Sequence, residues 1–188
     1  MNKTRIIVGI SGASGAIYGI ELLKALKEAK IETHLVISKS AQITIAQETA
    51  YTIPQVQGFA DHVHSAGDMA ASISSGSFKT NGMIIAPCSV RSLAEIATGT
   101  TTTLLTRAAD VVLKERRRLV LMVRETPLHS IHLRNMVTLA DMGAIIAPPV
   151  PAFYSKPISL HEMIMHTVGR MMDLFEVEHN LIKRWPIE

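Results

Sequence analysis

The chain has 188 residues, enough for one domain, and 47% of them are apolar, which excludes a disordered or collagen-like polymer. Its 19 basic and 16 acidic residues leave a charge of only +3, too weak and too dispersed to mark a nucleic-acid binder. A lone cysteine, Cys88, excludes an internal disulfide and fits a reducing, cytoplasmic compartment, and no apolar run reaches the roughly 20 residues that a membrane helix needs.

The first residues superficially resemble a secretion signal, with Lys3 and Arg5 ahead of Ile6, Ile7 and Val8. Gly9, Ser11, Gly12, Ser14 and Gly15 then break the apolar run and Glu21 follows, so residues 5–10 are expected to form a buried first strand. Residues 15–30 carry Ile20, Leu22, Leu23 and Leu26 at helical spacing. A strand is expected at 33–37, then a helix at 39–50 with Ile43 and Ala46 facing inward. Residues 51–79 are the least regular part and end in a small, polar, loop-like run at 72–77. A third strand at 83–86 is expected to end at Pro87. Helices at 89–97 and 103–114 and a fourth strand at 119–123 follow.

Thr126-Pro127 reads as a helix start, with Thr as the cap and Pro in the first position, and Gly143 as the natural stop. A fifth strand is expected at 144–147 and an extended loop through the four prolines of 148–157. Ser159 and Glu162 have the spacing of a capping box that opens a last helix, to about Phe175. Strands alternating with helices imply an α/β fold, a parallel sheet covered on both faces, with ligands at the carboxyl ends of the strands.

The residues just past those strand ends therefore carry the functional argument. Gly-Ala-Ser-Gly-Ala at 12–16 would let a phosphate or flat ring approach the backbone, with free N–H groups at the helix start; a tight turn that needs glycine is the alternative. No Gly-Lys-Ser/Thr follows, which argues against nucleotide triphosphate hydrolysis. Ser38 reads as a helix cap. Ser89 can cap the next helix while its hydroxyl and amide face a ligand. Cys88 has no base in view, so a small packed or ligand-contacting thiol is expected rather than a nucleophile. Arg124-Glu125 at a strand end suits a phosphate or a flavin carbonyl, or else an ion pair at the helix start. Arg107 and Lys114 lie two helical turns apart and can hold one phosphate between them, or form a solvated face. His62 and His64, and His129 and His132, lack a third ligand in their sequence context, so no metal site is expected.

Taken together, several short motifs are more specific than any alone. They are Gly-Ala-Ser-Gly-Ala at 12–16, Ile-Ser-Lys at 37–39, Ser-Ser-Gly-Ser-Phe at 74–78 and Pro-Cys-Ser at 87–89. Further along come Arg-Ala-Ala-Asp-Val-x-Leu-Lys-Glu-Arg-Arg at 107–117, Arg-Glu-Thr-Pro-Leu at 124–128, Ile-His-Leu-x-Asn-Met at 131–136 and Pro-Ala-Phe-Tyr at 151–154. Over essentially its whole length, 1–188, the chain resembles the UbiX/Pad family of flavin prenyltransferases. The resemblance implies a single flavodoxin-like Rossmann domain that binds FMN and joins the dimethylallyl group of dimethylallyl phosphate to N5 and C6 of the reduced flavin, without a metal. It implies a prenylated FMN product used by UbiD-type decarboxylases, and a homo-dodecamer whose sites are shared between subunits.

By position, the resemblance makes Gly12, Ala13, Ser14, Ser38, Ser89, Val90, Arg91 and Arg124 FMN contacts, with Cys88 lining the flavin. It makes Glu48 an acid/base carboxylate and puts Ser14 between the two ligands. Arg107, Lys114, Glu125, Tyr154 and Arg170 correspond to the group around the dimethylallyl phosphate, with Lys114 and Glu125 acting in catalysis. Two positions depart from relatives: Thr103, where many carry Asn, and Met69, near where some carry Trp. Two competing readings are an aromatic-acid decarboxylase and a non-catalytic FMN-binding partner subunit.

Overall fold

The computed structural model describes residues 4–182 and 184; the expectations for the remaining terminal positions lie outside the described residues. Six strands form one sheet, all parallel: β1 (Arg5–Ile10), β2 (Glu32–Ile37), β3 (His62–His64), β4 (Gly82–Cys88), β5 (Arg118–Val123) and β6 (Ile145–Ile146). Their spatial order is β3-β2-β1-β4-β5-β6. The chain thus builds outward from β1 in one direction, then returns past it to build in the other. The reversal between β1 and β4 opens a crevice at the strands' carboxyl ends, where open α/β sheets hold ligands.

Seven helices cover the sheet: α1 (Ala16–Glu28), α2 (Lys39–Glu48), α3 (Ile53–Gln57), α4 (Val90–Ala97), α5 (Leu104–Lys114), α6 (Ser130–Asp141) and α7 (Leu160–Asp173). Side chains alternate across each strand and feed two cores. Ile6, Val8, Ile10, Ile84, Val120 and Met122 pack beneath α1 and α7. Ile7, Met83, Ile85, Leu119 and Leu121 pack beneath α4 and α5. Each fully buried aliphatic side chain contributes about 1.5–3 kcal/mol of transfer free energy, so near-continuous apolar strands such as β1 suit only a two-sided sheet.

Four expectations are corrected. In α2 the inward residues are Ala41 and Ile45, while Ile43 and Ala46 are exposed. The i, i+4 pair faces the core, and an i, i+3 reading selected the neighbouring stripe. β4 does not stop at Pro87 but continues to Cys88 through an irregularity against β5, which accommodates the missing N–H. α6 begins at Ser130 rather than at 126, because the ring of His129 accepts a hydrogen bond from the Ile131 N–H (3.2 Å) and caps the helix there. Residues 51–79 contain α3 and β3, both too short for a periodic signal.

Candidate active site

Ser11 fixes the crevice. Its hydroxyl donates to the Pro87 carbonyl (2.8 Å) and accepts from the Ser89 N–H (2.7 Å), tying the end of β1 to the end of β4. The Ser89 amide is therefore used within the protein and does not face a ligand as expected. Ser89 Oγ caps α4 by accepting from the Ser92 N–H (3.2 Å), and Ser38 Oγ caps α2 by accepting from the Ala41 N–H (3.1 Å).

The start of α1 differs from its expectation in an instructive way. Gly15 adopts φ +97°, a left-handed conformation natural to glycine, and turns its amide and that of Ala16 outward. Glu48 Oε2, at the end of α2, accepts from both, at 2.7 and 3.3 Å. The anion at this helix N-terminus is the chain's own carboxylate. Gly12 lies beside Ser40, and a Cβ built on it would fall 2.4 Å from the Ser40 Cβ. That close approach holds the start of α2 against the turn after β1.

Two cavities flank the reversal. The first, of about 510 Å³, is lined by Ser38, Ser40, Ile43, Ser89, Arg91, Ser92, Glu95 and Thr103, among others. Ile43 is exposed because it forms part of this wall. Glu95 ties the floor together: its carboxylate accepts from Arg91 Nε (2.9 Å), Thr102 Oγ1 (2.7 Å) and Thr106 Oγ1 (3.2 Å). Burial works to raise its pKa, but the three donors outweigh it and hold the carboxyl below its ordinary value.

The second cavity, of about 490 Å³, is lined by Ser14, Gly15, Tyr18, Arg124, Glu125, Leu160 and Ile164, among others. Glu125 accepts from the Thr126 N–H (3.0 Å) rather than pairing with Arg124. Among the described residues Arg124 forms no ion pair, leaving its guanidinium available to an anion. Burial raises the Tyr18 phenol, and the nearby Arg124 charge partly offsets this.

Gly12, Ala13, Ser14, Ser38, Glu48, Ser89, Val90, Arg91, Arg124 and Glu125 thus gather at the strand ends. Cys88 is fully buried in the core, and burial pushes its thiol up to about 12, so it is the packed cysteine rather than a nucleophile. Its side chain presents no surface to line a flavin. Arg107 donates to the Ser74 carbonyl (3.2 Å) and pairs with Asp110 (2.8 Å). Lys114 pairs with Glu115 at the far end of α5, an 11-residue helix about 16 Å long. Tyr154 hydrogen-bonds His166 (3.2 Å), and Arg170 pairs with Asp173 (2.8 Å). None of these four lines either cavity within one chain. Sequence reading missed Ser11, Ser40 and Glu95, whose partners come from distant segments. Only the polar crowding around Arg91-Ser92 and the Thr100–103 run hinted at such a network.

Residues 1–184 match the Flavoprotein family model. Flavin prenyltransferase UbiX of Escherichia coli K12 is 57% identical over 184 residues, covering 96% of this chain and 97% of the relative. The chain belongs to the UbiX-type flavin prenyltransferase family. Its fold matches a UbiX structure (PadA1) described in complex with FMN and dimethylallyl pyrophosphate, with a TM-score of 0.97, 52% identity and 98% of each chain covered. It also matches a dodecameric, FMN-dependent UbiX-like decarboxylase of E. coli O157:H7, at TM-score 0.95 and 50% identity, over 97% of this chain and 99% of that one. The UbiX-type relationship accounts for the parallel flavodoxin-like sheet and for the hydroxyl-rich strand ends.

Proposed function

We propose that this chain is a flavin prenyltransferase that joins the dimethylallyl group of dimethylallyl phosphate to N5 and C6 of reduced FMN. One observation carries the reading: a hydroxyl-lined cavity, the unpaired cation Arg124 and the carboxylate Glu48 meet at one sheet end. They do so in a fold that matches a relative described with both ligand types. The residues suit FMN. Gly12 lets the start of α2 pack close against the turn after β1, the serines offer hydroxyls to a ribityl chain and phosphate, and Arg124 offers charge.

Bound reduced FMN would supply a nucleophilic nitrogen and a flat π face. Around it the chain's own residues bind, orient and move protons. Arg107, Lys114, Arg170 and the Tyr154 hydroxyl stabilise the charge that develops on the departing phosphate. Glu48 moves a proton near N5, with Ser14 between the two ligands and Glu125 orienting the phosphate group. Desolvation in the crevice and positioning of the reacting atoms supply the rest.

Arg107, Lys114, Tyr154 and Arg170 stand outside the cavities, so the working site combines residues from more than one copy. An apolar surface supports such assembly: Ile131, Leu133 and Val137 on α6, and Phe153, Ile158 and Leu160 beyond it, are all exposed. We propose a homo-dodecamer, acting in the cytoplasm and passing its product to a UbiD-type decarboxylase. No described helix is long and apolar enough to cross a membrane.

The test is to mix the protein anaerobically with reduced FMN and dimethylallyl phosphate, without added metal, and weigh the extracted flavin. A gain of one C5H8 unit supports the reading, and Lys114→Ala should slow it. Bound but unaltered FMN would reject it in favour of a carrier or decarboxylase. A parallel arm with the diphosphate fixes the donor.

A further inference from the structure

Residues two apart on a strand project to the same face. Glu32 and His34 are so related in β2, as are His62 and His64 in β3, and the strands pair with His34 opposite His62. All four side chains therefore crowd one face at the sheet's edge. His34 lies four residues before Ser38, about 13 Å along the strand from the cavities.

The contacts are close. Glu32 Oε1 lies 3.2 Å from His34 Nε2 and 3.7 Å from His62 Nε2. The three donor atoms all fall within 4.8 Å of one another. The rings of His62 and His64 stack on His34, with centroids 4.5 and 5.2 Å away. His34 Nδ1 is 2.9 Å from His64 Nε2. Among the described residues, the Lys or Arg side chain paired with Glu32 is Arg5, whose Nε donates to Glu32 Oε1 at 2.6 Å.

We propose that Glu32, His34 and His62 form a binding site for a divalent late transition metal of the Zn²⁺ class, with His64 orienting His34 from behind. Tetrahedral zinc with bonds near 2.0–2.1 Å holds its ligand atoms about 3.3 Å apart. The Glu32–His34 pair already has that spacing. His62 Nε2 lies 3.7 Å from Glu32 and within 4.8 Å of the other donors, so its half-exposed ring must turn out of its stack on His34 and shift by up to about 1.5 Å to complete the set. With Nε2 on the metal, His34 carries its proton on Nδ1 and donates it to His64, the arrangement that fixes a ligating imidazole. Arg5 orients the carboxylate, but its charge opposes the ion. Three protein ligands, water in the fourth position and an adjacent cation make the site weaker than a closed four-ligand site, so micromolar affinity is expected. Bound metal would clamp β3, a three-residue edge strand, to β2. The expectation of no metal site rested on the lack of a third ligand near His62 and His64. Strand pairing supplies it from nearly 30 residues away.

The experiment titrates ZnCl2 into chelator-stripped full-length protein at neutral pH, following heat by calorimetry and thermal unfolding in parallel. One ion per chain is expected, together with a rise in Tm of about 5 °C at saturating zinc. His62→Ala should unfold normally without zinc, bind at least tenfold more weakly and lose the Tm rise. The isosteric Glu32→Gln should also bind at least tenfold more weakly and lose the Tm rise, from a lower zinc-free Tm because it gives up the Arg5 ion pair. His129→Ala is the control, because His129 and His132 also stack, at 3.5 Å between centroids. Binding that is absent, unchanged in both His62→Ala and Glu32→Gln, or lost in His129→Ala overturns the assignment. Prenyl transfer is not involved in the readout, so its failure would leave this result intact.

Discussion

Gly12→Ala perturbs the contact that shapes the crevice. Its Cβ would sit 2.3 Å from the Ser40 Oγ, 2.4 Å from the Ser40 Cβ and 3.2 Å from the Ser40 carbonyl carbon. The hydroxyl can rotate away, but the Cβ is fixed by the backbone of α2. Carbon atoms rest comfortably at about 3.5 Å, so the turn and the helix start must separate by about 1 Å. Overpacking of this kind costs about 1–3 kcal/mol. Ser40→Gly removes both close atoms and leaves only the 3.2 Å neighbour, at a helix-propensity cost of about 1 kcal/mol or less. In urea unfolding, Gly12→Ala should lose about 2 kcal/mol, and the double variant should lose no more than about 1 kcal/mol. FMN affinity, read by flavin fluorescence quenching, should fall in the single variant and recover in part in the double. A Gly12→Ala protein within about 0.5 kcal/mol of the parent, or strictly additive effects, would refute the reasoning.

Glu48→Gln keeps an oxygen for the Gly15 and Ala16 amides but loses the charge at the α1 N-terminus. It should lower stability by about 0.5–1 kcal/mol in urea while slowing prenyl transfer by tenfold or more in single-turnover mass spectrometry. The Cys88 thiol, with its pKa near 12, should resist iodoacetamide at pH 8 and react only once urea unfolds the chain; fast labelling of native protein would contradict its burial. Burial opposes ionisation of Asp173, but Arg184, His179 and Arg170 outweigh it and hold its carboxyl below its ordinary value. A depressed carboxylate stabilises the fold above its unfolded pKa and loses that contribution as pH falls through the folded value. Arg184→Ala should therefore lower Tm slightly at pH 7, as for other exposed pairs, with the difference vanishing as pH falls through the folded pKa of Asp173.

The sheet was legible because its strands are buried on both faces and read as β-branched runs such as Ile6-Ile7-Val8. β1 matches its expected bounds to the residue, whereas β3 has three residues, two of them histidine, and carries no such signal. Helix ends marked by a serine cap, as at Ser38, Ser89 and Ser159, were also readable. The Thr126-Pro127 start failed because a ring nitrogen of His129 competes with a cap of standard type. The strand-end residues could be placed because topology puts them together whatever the details. Their hydrogen bonds could not: Ser11 to Pro87 and Ser89, and Glu48 to Gly15, join segments more than 30 residues apart. Arg107, Lys114, Tyr154 and Arg170 could be nominated for a phosphate only through the resemblance, and one chain does not bring them to either cavity.

The place of β1 in the sheet has a consequence for synthesis. The strand made first lies inside the sheet and is bordered by β2 and β4. Its β2 side can be satisfied once residue 37 has left the ribosome, but the other waits for residues 82–88. Until then a two-sided apolar strand presents an open edge, the kind of surface that invites pairing with a neighbouring nascent chain. A pause or truncation between residues 50 and 80 should therefore be the most aggregation-prone point in the production of this protein, and a chaperone would be needed most there.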